Sequence, residues 1–313
     1  MTWAERNAAV QGLGYTEREA SFLVTVALHS GYFLMRQFSV TNGKVSDRLA
    51  KKLAFYGHAA VTKCANKTLL FHLQAKAVYR ALDQENNRHR RLHNPYHVRS
   101  KVMGLDYVLH HPQYRFLPTE EDKMSYFIGE RSLTQRLLPA KTYAGKASNT
   151  ERFFIDKYPI RVDPNTGRVA FCFVDDGAFG GLGFETWLSQ YNELLRAIGT
   201  DAEVVYLSPD QPTFETARRQ FTQQFSGVAG RSSDELKAYF ELRREYEQAT
   251  PQSRSKAAID ILRRLRKTFT GDSFESQYSR WIAHGFEPTS DGPRVAFTTH
   301  HLRFSYRFFG VKA

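Results

Sequence analysis

Between Thr16 and Leu73 the spacing of apolar positions changes from a helical period to strand-like runs, and that change predicts an order of elements. In EREASFLVTVALHS, Phe22, Leu23, Val26 and Ala27 recur at the three- and four-residue spacing of one helix face. Thr16 and Glu19 stand ahead of them at capping-box spacing, and Gly31 follows His29 and Ser30 as a natural end residue. A second helix is expected over FLMRQFSV, pinned by Tyr32, Phe33, Leu34 and Phe38. The turn Thr41-Asn42-Gly43 leads to a third over KVSDRLAKKLAFYG. There Val45, Leu49, Leu53 and Phe55 are assigned to the inside, and Ser46, Arg48, Lys51 and Lys52 to the outside. Two strands, AAVTKC and TLLFHL, then flank Ala65-Asn66-Lys67. Residues 1–15 read as a lead-in, with Gly12 and Gly14 breaking any helix before Thr16.

Helix, short helix, helix and hairpin is the order of a winged helix-turn-helix, which sets its third helix in the major groove and its hairpin beside the backbone. Charge adds to this picture. From Arg36 to Lys63 stand six cations (Arg36, Lys44, Arg48, Lys51, Lys52 and Lys63) against the single acid Asp47. Lys67 sits in the hairpin turn, and Arg88, Arg90 and Arg91 open a basic run, RHRRLHNPYHVRSK, that contains no acid. These cations, with Ser46, form the expected DNA-binding set, the run contributing phosphate contacts that add affinity and salt dependence without reading sequence.

Beyond the hairpin, QAKAVYRALDQENN predicts a helix, and VRSKVMGLDYVLHH another, stopped by Pro112 and able to pack on the domain or against a second copy. His89, His93 and His97 are spaced for one helix face, but Pro95 is expected to interrupt it. The reading therefore divides the chain into a DNA-binding domain over 1–112, a connector over 113–150 and an α/β core over 151–313. In the core, the strands RFFIDKYPIRVD and RVAFCFVDDG flank the hairpin signal Pro164-Asn165-Thr166-Gly167. The helix FETWLSQYNELLRAIG, the strand AEVVYLSP and the helix TFETARRQFTQQF follow. Ser232 and Glu235 repeat the capping-box spacing before a helical hairpin broken at Pro251. SFESQYSRWIAHG adds a helix, and RVAFTT and LRFSYRFFGV close as strands. The fold class is α+β.

The chain of 313 residues is long enough for two cores, and 42% hydrophobic content suits a globular protein. A net charge of +12 points to an anionic partner, most simply nucleic acid. Cys64 and Cys172 are the only cysteines, which fits a reducing cytoplasm and provides no metal spacing. No apolar run approaches the ~20 residues of a membrane span, and MTWAERNAAVQ does not read as a signal peptide. Asp163 and Asp175, at the ends of two strands, invite comparison with a nuclease metal site, but Gly177 stands where the lysine of such a site belongs. GAFGGLG at 177–183 lies where phosphate loops lie, yet fits neither G-x-G-x-x-G nor a P-loop. His110-His111 and His300-His301 are adjacent pairs that point apart on a strand. No catalytic residue, metal or cofactor is assigned.

SGYFLMRQF, followed by a basic helix, a short wing, FVDDG and a helix through Tyr191 and Leu195, resembles the replication-relaxation family of plasmids and mobile elements over roughly residues 15–210. The resemblance implies a winged helix ahead of a nuclease-like core, here without the lysine of a cutting site. The expected function is sequence-specific binding of double-stranded DNA, as a regulator or replication accessory, with a second copy of the chain as a further partner. The rivals are a metal-dependent nuclease and a structural factor that binds RNA or protein.

Overall fold

The computed structural model describes residues 1–43, 47–64, 66–144, 149–177, 182–225, 233–248, 255–269, 275, 278–279, 281–282 and 295–303, and within them the fold is mixed α+β. It begins with a helix where the sequence predicted a lead-in, α1 (Trp3–Gln11). Thr2 and Glu5 cap it reciprocally, and Gly12 ends it. The T-x-x-E signal was present; the apolar stripe was too thin to see, since only Arg6 and Val10 are buried.

The next helix, α2 (Glu17–His29), carries the expected cap: Thr16 Oγ1 accepts from the Glu19 N–H at 3.4 Å, and Glu19 Oε2 accepts from the Thr16 N–H at 2.8 Å. Gly31 has φ +77°, and a Cβ on it would overlap the carbonyl oxygen of His89, so both conformation and space demand glycine. Tyr32–Leu34 forms strand β1, and helix α3 runs only from Met35 to Asn42. The sequence assigned Phe33 and Leu34 to that helix because their strand partners are distant: Phe33 pairs with Phe71. After α4 (Asp47–Phe55) come β2 (Ala59–Lys63) and β3 (Leu69–Leu73). The antiparallel sheet has the order β1-β3-β2, with β2 at an edge.

Two further helices follow, α5 (Lys76–Ala81) and α6 (Pro95–His110). As expected, Pro95 keeps His89 and His93 off the helix that carries His97: it starts α6, where a missing N–H costs nothing, and Asn94 caps that helix by accepting from the His97 N–H at 2.9 Å.

Next come β4 (Arg115–Phe116), α7 (Glu120–Met124), and the hairpin of β5 (Ala140–Tyr143) with β6 (Thr150–Phe153). Leu117, Tyr126, Phe127 and Leu138, from the stretch drawn as a connector, pack in one core with Phe171 and Leu188. The single strand expected over RFFIDKYPIRVD is two strands in different sheets, β6 and β7 (Ile160–Val162), separated by left-handed backbone at Phe154 and Lys157. Continuing, β8 (Val169–Val174), α8 (Leu182–Ile198), β9 (Ala202–Ser208), α9 (Thr213–Phe225) and, after the C-terminal helices, β10 (Ala296–His301) complete the larger sheet. Its order is β10-β9-β8-β7-β4; β8, β9 and β10 are parallel, while β7 and β4 join antiparallel.

Phe184, Trp187 and Leu188 of α8 and Phe221 of α9 cover one face of this sheet. On the other, Val98, Val102 and Met103 of α6 meet Ala170, Cys172 and Val205 in a cluster that also holds Tyr32 and Leu70 of the small sheet. Leu105 and Leu109 of the same helix pack with the core of α2. The helix that the sequence left able to meet a second copy is thus buried between the two sheets. Helices α10 (Ser233–Gln248) and α11 (Lys256–Thr268) form the expected hairpin around Leu236, Tyr239, Phe240 and Leu265. The Ser232 cap, most of the helix over SFESQYSRWIAHG and the last strand past Arg303 lie outside the described residues. Among the described residues no helix is long and apolar enough to cross a membrane.

Candidate nucleic-acid interface

Leu49 and Leu53, four residues apart on α4, are fully buried and fix that helix on the core. Arg48 and Lys51 on the same helix are exposed, as are Lys63 at the end of the edge strand β2 and Lys67 in the turn beyond it. The turn is built locally: the Lys67 N–H donates to the Cys64 carbonyl at 2.9 Å, and the Thr68 N–H to Asn66 Oδ1 at 3.1 Å. These four cations thus share one helix and the hairpin after it. Lys44 and Ser46 fall outside the described residues.

Three expectations for this region change. Phe55, assigned to the interior, is 85% exposed. It stands two residues past Leu53, roughly 200° around the helix, so the two cannot share a face. Lys52, assigned to the groove side, is half-buried, donating to Glu19 Oε2 at 2.6 Å and to the Gly14 carbonyl at 3.1 Å. Burial works to raise the Glu19 carboxyl, but hydrogen bonds from Lys52 and Thr16 outweigh it and hold it below the usual range. Arg36 forms a bidentate pair with Asp106 of α6, both bonds 2.7 Å. Lys52 and Arg36 therefore hold the fold together through partners far away in sequence.

The basic run is held to the fold at His89 and Lys101. Its His89 is buried, with Nδ1 2.5 Å from Lys101 Nζ, and its carbonyl lies 3.1 Å from Nε2 of His72. Arg88 and Arg91 are exposed, Arg88 lying over the ring of Tyr143 at 5.5 Å. Arg90 is half-buried, and its Nε has no hydrogen-bond partner among the described residues.

The acids considered for a nuclease site do not meet. The hairpin β7–β8 puts Asp163 at its turn and Asp175 past the far end of β8, roughly 20 Å away by strand rise. Asp163 Oδ1 accepts from the Asn165 N–H at 2.9 Å, a turn contact. Asp175 accepts from the Gly177 N–H at 2.8 Å and from the Tyr206 hydroxyl at 2.5 Å. Among the described residues no three His, Cys, Asp or Glu side chains are grouped to hold a metal. His111 and His300, one from each adjacent pair, do approach, with ring centroids 5.2 Å apart. Residues 178–181 of GAFGGLG lie outside the described residues.

What the sequence did not reveal is a group of lysines from three separate segments. Lys101, Lys123 and Lys157 are all drawn into the body of the protein, and burial lowers the pKa of each. No periodicity or motif marks them, because each belongs to a different element. Comparison with family profiles, curated proteins and solved structures finds no match to this chain.

Proposed function

We propose that the protein binds double-stranded DNA through its N-terminal unit, with α4 as the recognition helix and β2–β3 as the wing of a winged helix-turn-helix. The observation that carries this reading is the arrangement of α4: Leu49 and Leu53 point into the core while Arg48 and Lys51 are exposed, next in the chain to a hairpin bearing Lys63 and Lys67. A helix held by its apolar side with cations outside can enter a major groove, and the hairpin can lie along the adjoining phosphates. The overall charge of +12 favours the same class of partner. Arg88 and Arg91 are suited to backbone contacts, whereas Arg36 and Lys52 serve the fold. The resemblance to the replication-relaxation family supports a role as regulator or replication accessory of a mobile element.

The test is to select a duplex site with the full-length protein and compare it with a scrambled duplex. A direct base contact is worth about 1–3 kcal/mol against the wrong base, so Arg48→Ala should lose affinity for the selected site and little for the scrambled one. Lys63→Gln with Lys67→Gln should weaken both duplexes alike and flatten the salt slope by up to about two units. Wild-type affinity of Arg48→Ala for both duplexes would remove α4 as the recognition helix. Stronger competition by single-stranded RNA than by duplex DNA would replace the reading with the RNA-binding one.

A further inference from the structure

A cavity of about 770 Å³ opens where three segments meet: residues 83–88 after α5, 118–124 at α7, and 152–157 between β6 and β7. That is the size of small-molecule sites. Arg88, Lys123 and Lys157 line it. Lys123 is 2% exposed, with its ammonium 5.3 Å from the Phe154 ring and the carboxylates of Asp156, Glu120 and Asp122 close enough to act on it. Lys157 donates to the side-chain oxygen of Asn87 at 3.2 Å. The carboxylates on the inner wall are already engaged: Glu120 accepts from the Phe153 N–H at 3.0 Å and faces Arg152 at 3.6 Å, while Glu85 pairs with Lys76 and Arg80. Around Lys157 the cations Lys123, Arg88 and Arg152 outnumber the one carboxylate, Glu120, and an excess of positive charge at a half-buried wall favours an anion there.

The backbone fixes where Lys157 stands. Phe154 and Lys157 have φ of +50° and +57°, a region that side-chain-bearing residues seldom occupy. Their loop is pinned from below by Asp156, which accepts from Trp187 Nε1 at 3.0 Å, the Tyr191 hydroxyl at 2.8 Å and the Tyr158 N–H at 3.0 Å. Strain of this kind persists only where the surroundings fix it, and here it holds Lys157 at the cavity wall. Burial, then the neighbouring Lys123 and Arg88, bring the Lys157 ammonium down to about 8. Crowding of like charges is what a bound anion relieves.

We propose that this cavity binds the phosphate group of a small phosphate ester, with Lys123 and Lys157 as its ligands and Arg88 on the outer side. A small molecule fits better than a nucleic-acid strand, since Asp83 and Glu121 are exposed on the lining and repel a polyanion. The full-length protein is titrated with inorganic phosphate, adenosine 5′-monophosphate, adenosine and a single-stranded oligonucleotide by calorimetry at pH 8 in two buffers of different ionisation heat. The monophosphate is expected to bind, adenosine not, and the oligonucleotide not to displace the monophosphate. Binding should take up protons, because the phosphate raises Lys157 back toward the ordinary lysine range. Lys157→Gln should weaken binding at least tenfold and abolish the proton uptake, and Lys123→Met should weaken it similarly. Should Lys123→Met fail to fold, Lys157→Gln alone decides. The proposal is overturned if neither phosphate compound binds the wild type, if adenosine binds as well as its monophosphate, if the oligonucleotide displaces the monophosphate, or if Lys157→Gln binds like the wild type.

Discussion

Arg36 and Asp106 face each other through two parallel hydrogen bonds of 2.7 Å, and the Asp106 side chain is 1% exposed. The pair joins α3 to α6, and through α6 the N-terminal unit to the larger sheet. A cation that the sequence offered as a DNA contact is therefore an internal clamp. Arg36→Met takes the bidentate cation away from a buried carboxylate and should cost about 3–5 kcal/mol of stability. Arg36→Met combined with Asp106→Leu should recover much of that loss, because the buried carboxylate goes with its cation. Urea unfolding of both variants checks this, and equal destabilisation of the single and double variants would contradict it.

Leu53 and Phe55 make an opposed pair on one short helix. Leu53→Ala should destabilise by about 2–5 kcal/mol, the range for a fully buried leucine. Phe55→Ser should change stability by no more than about 0.5 kcal/mol, as for an exposed position away from special features. Chemical denaturation at low protein concentration measures both. A large loss for Phe55→Ser would mean that another surface covers the ring in solution.

Several histidines are folded in neutral form, which gives the protein a predictable acid response. Burial, followed by the charges of Lys101 and Lys157, holds His89 well below its usual range. Burial likewise brings His29 to about 3, and His93 and His300 to about 4. In the unfolded chain these groups protonate near pH ~6.5, so below that value the unfolded state binds more protons than the folded one. Their stabilising contribution is complete above pH ~6.5 and drains away as pH falls toward the depressed folded values. Thermal melting at constant ionic strength should show Tm dropping steadily between pH 6.5 and 4.5, above the carboxylate range. His89→Gln should drop less steeply. A flat Tm across that window would mean that these rings are already charged in the fold.

The sequence by itself determined what neighbours in the chain settle among themselves. The Thr16–Glu19 cap and the Leu49–Leu53 side of α4 depend on spacings of three or four residues, and both were legible; Gly31 was legible as the end of α2, although the space beside His89 demands it too. The turn at Asn165-Thr166-Gly167 was also legible, with Gly167 at φ +70° joining β7 to β8. Tertiary structure decided the rest. Whether Tyr32–Leu34 is strand or helix depends on β3; whether RFFIDKYPIRVD is one strand or two depends on which sheets accept its halves. Arg36 and Lys52 read as groove cations until Asp106 and Glu19 are brought beside them. The lysine cavity has no local signal, since its walls come from three segments that only the packed fold assembles. Backbone periodicity is set by short-range sterics and hydrogen bonds, whereas the partner of a long charged side chain is set by which distant elements share its space.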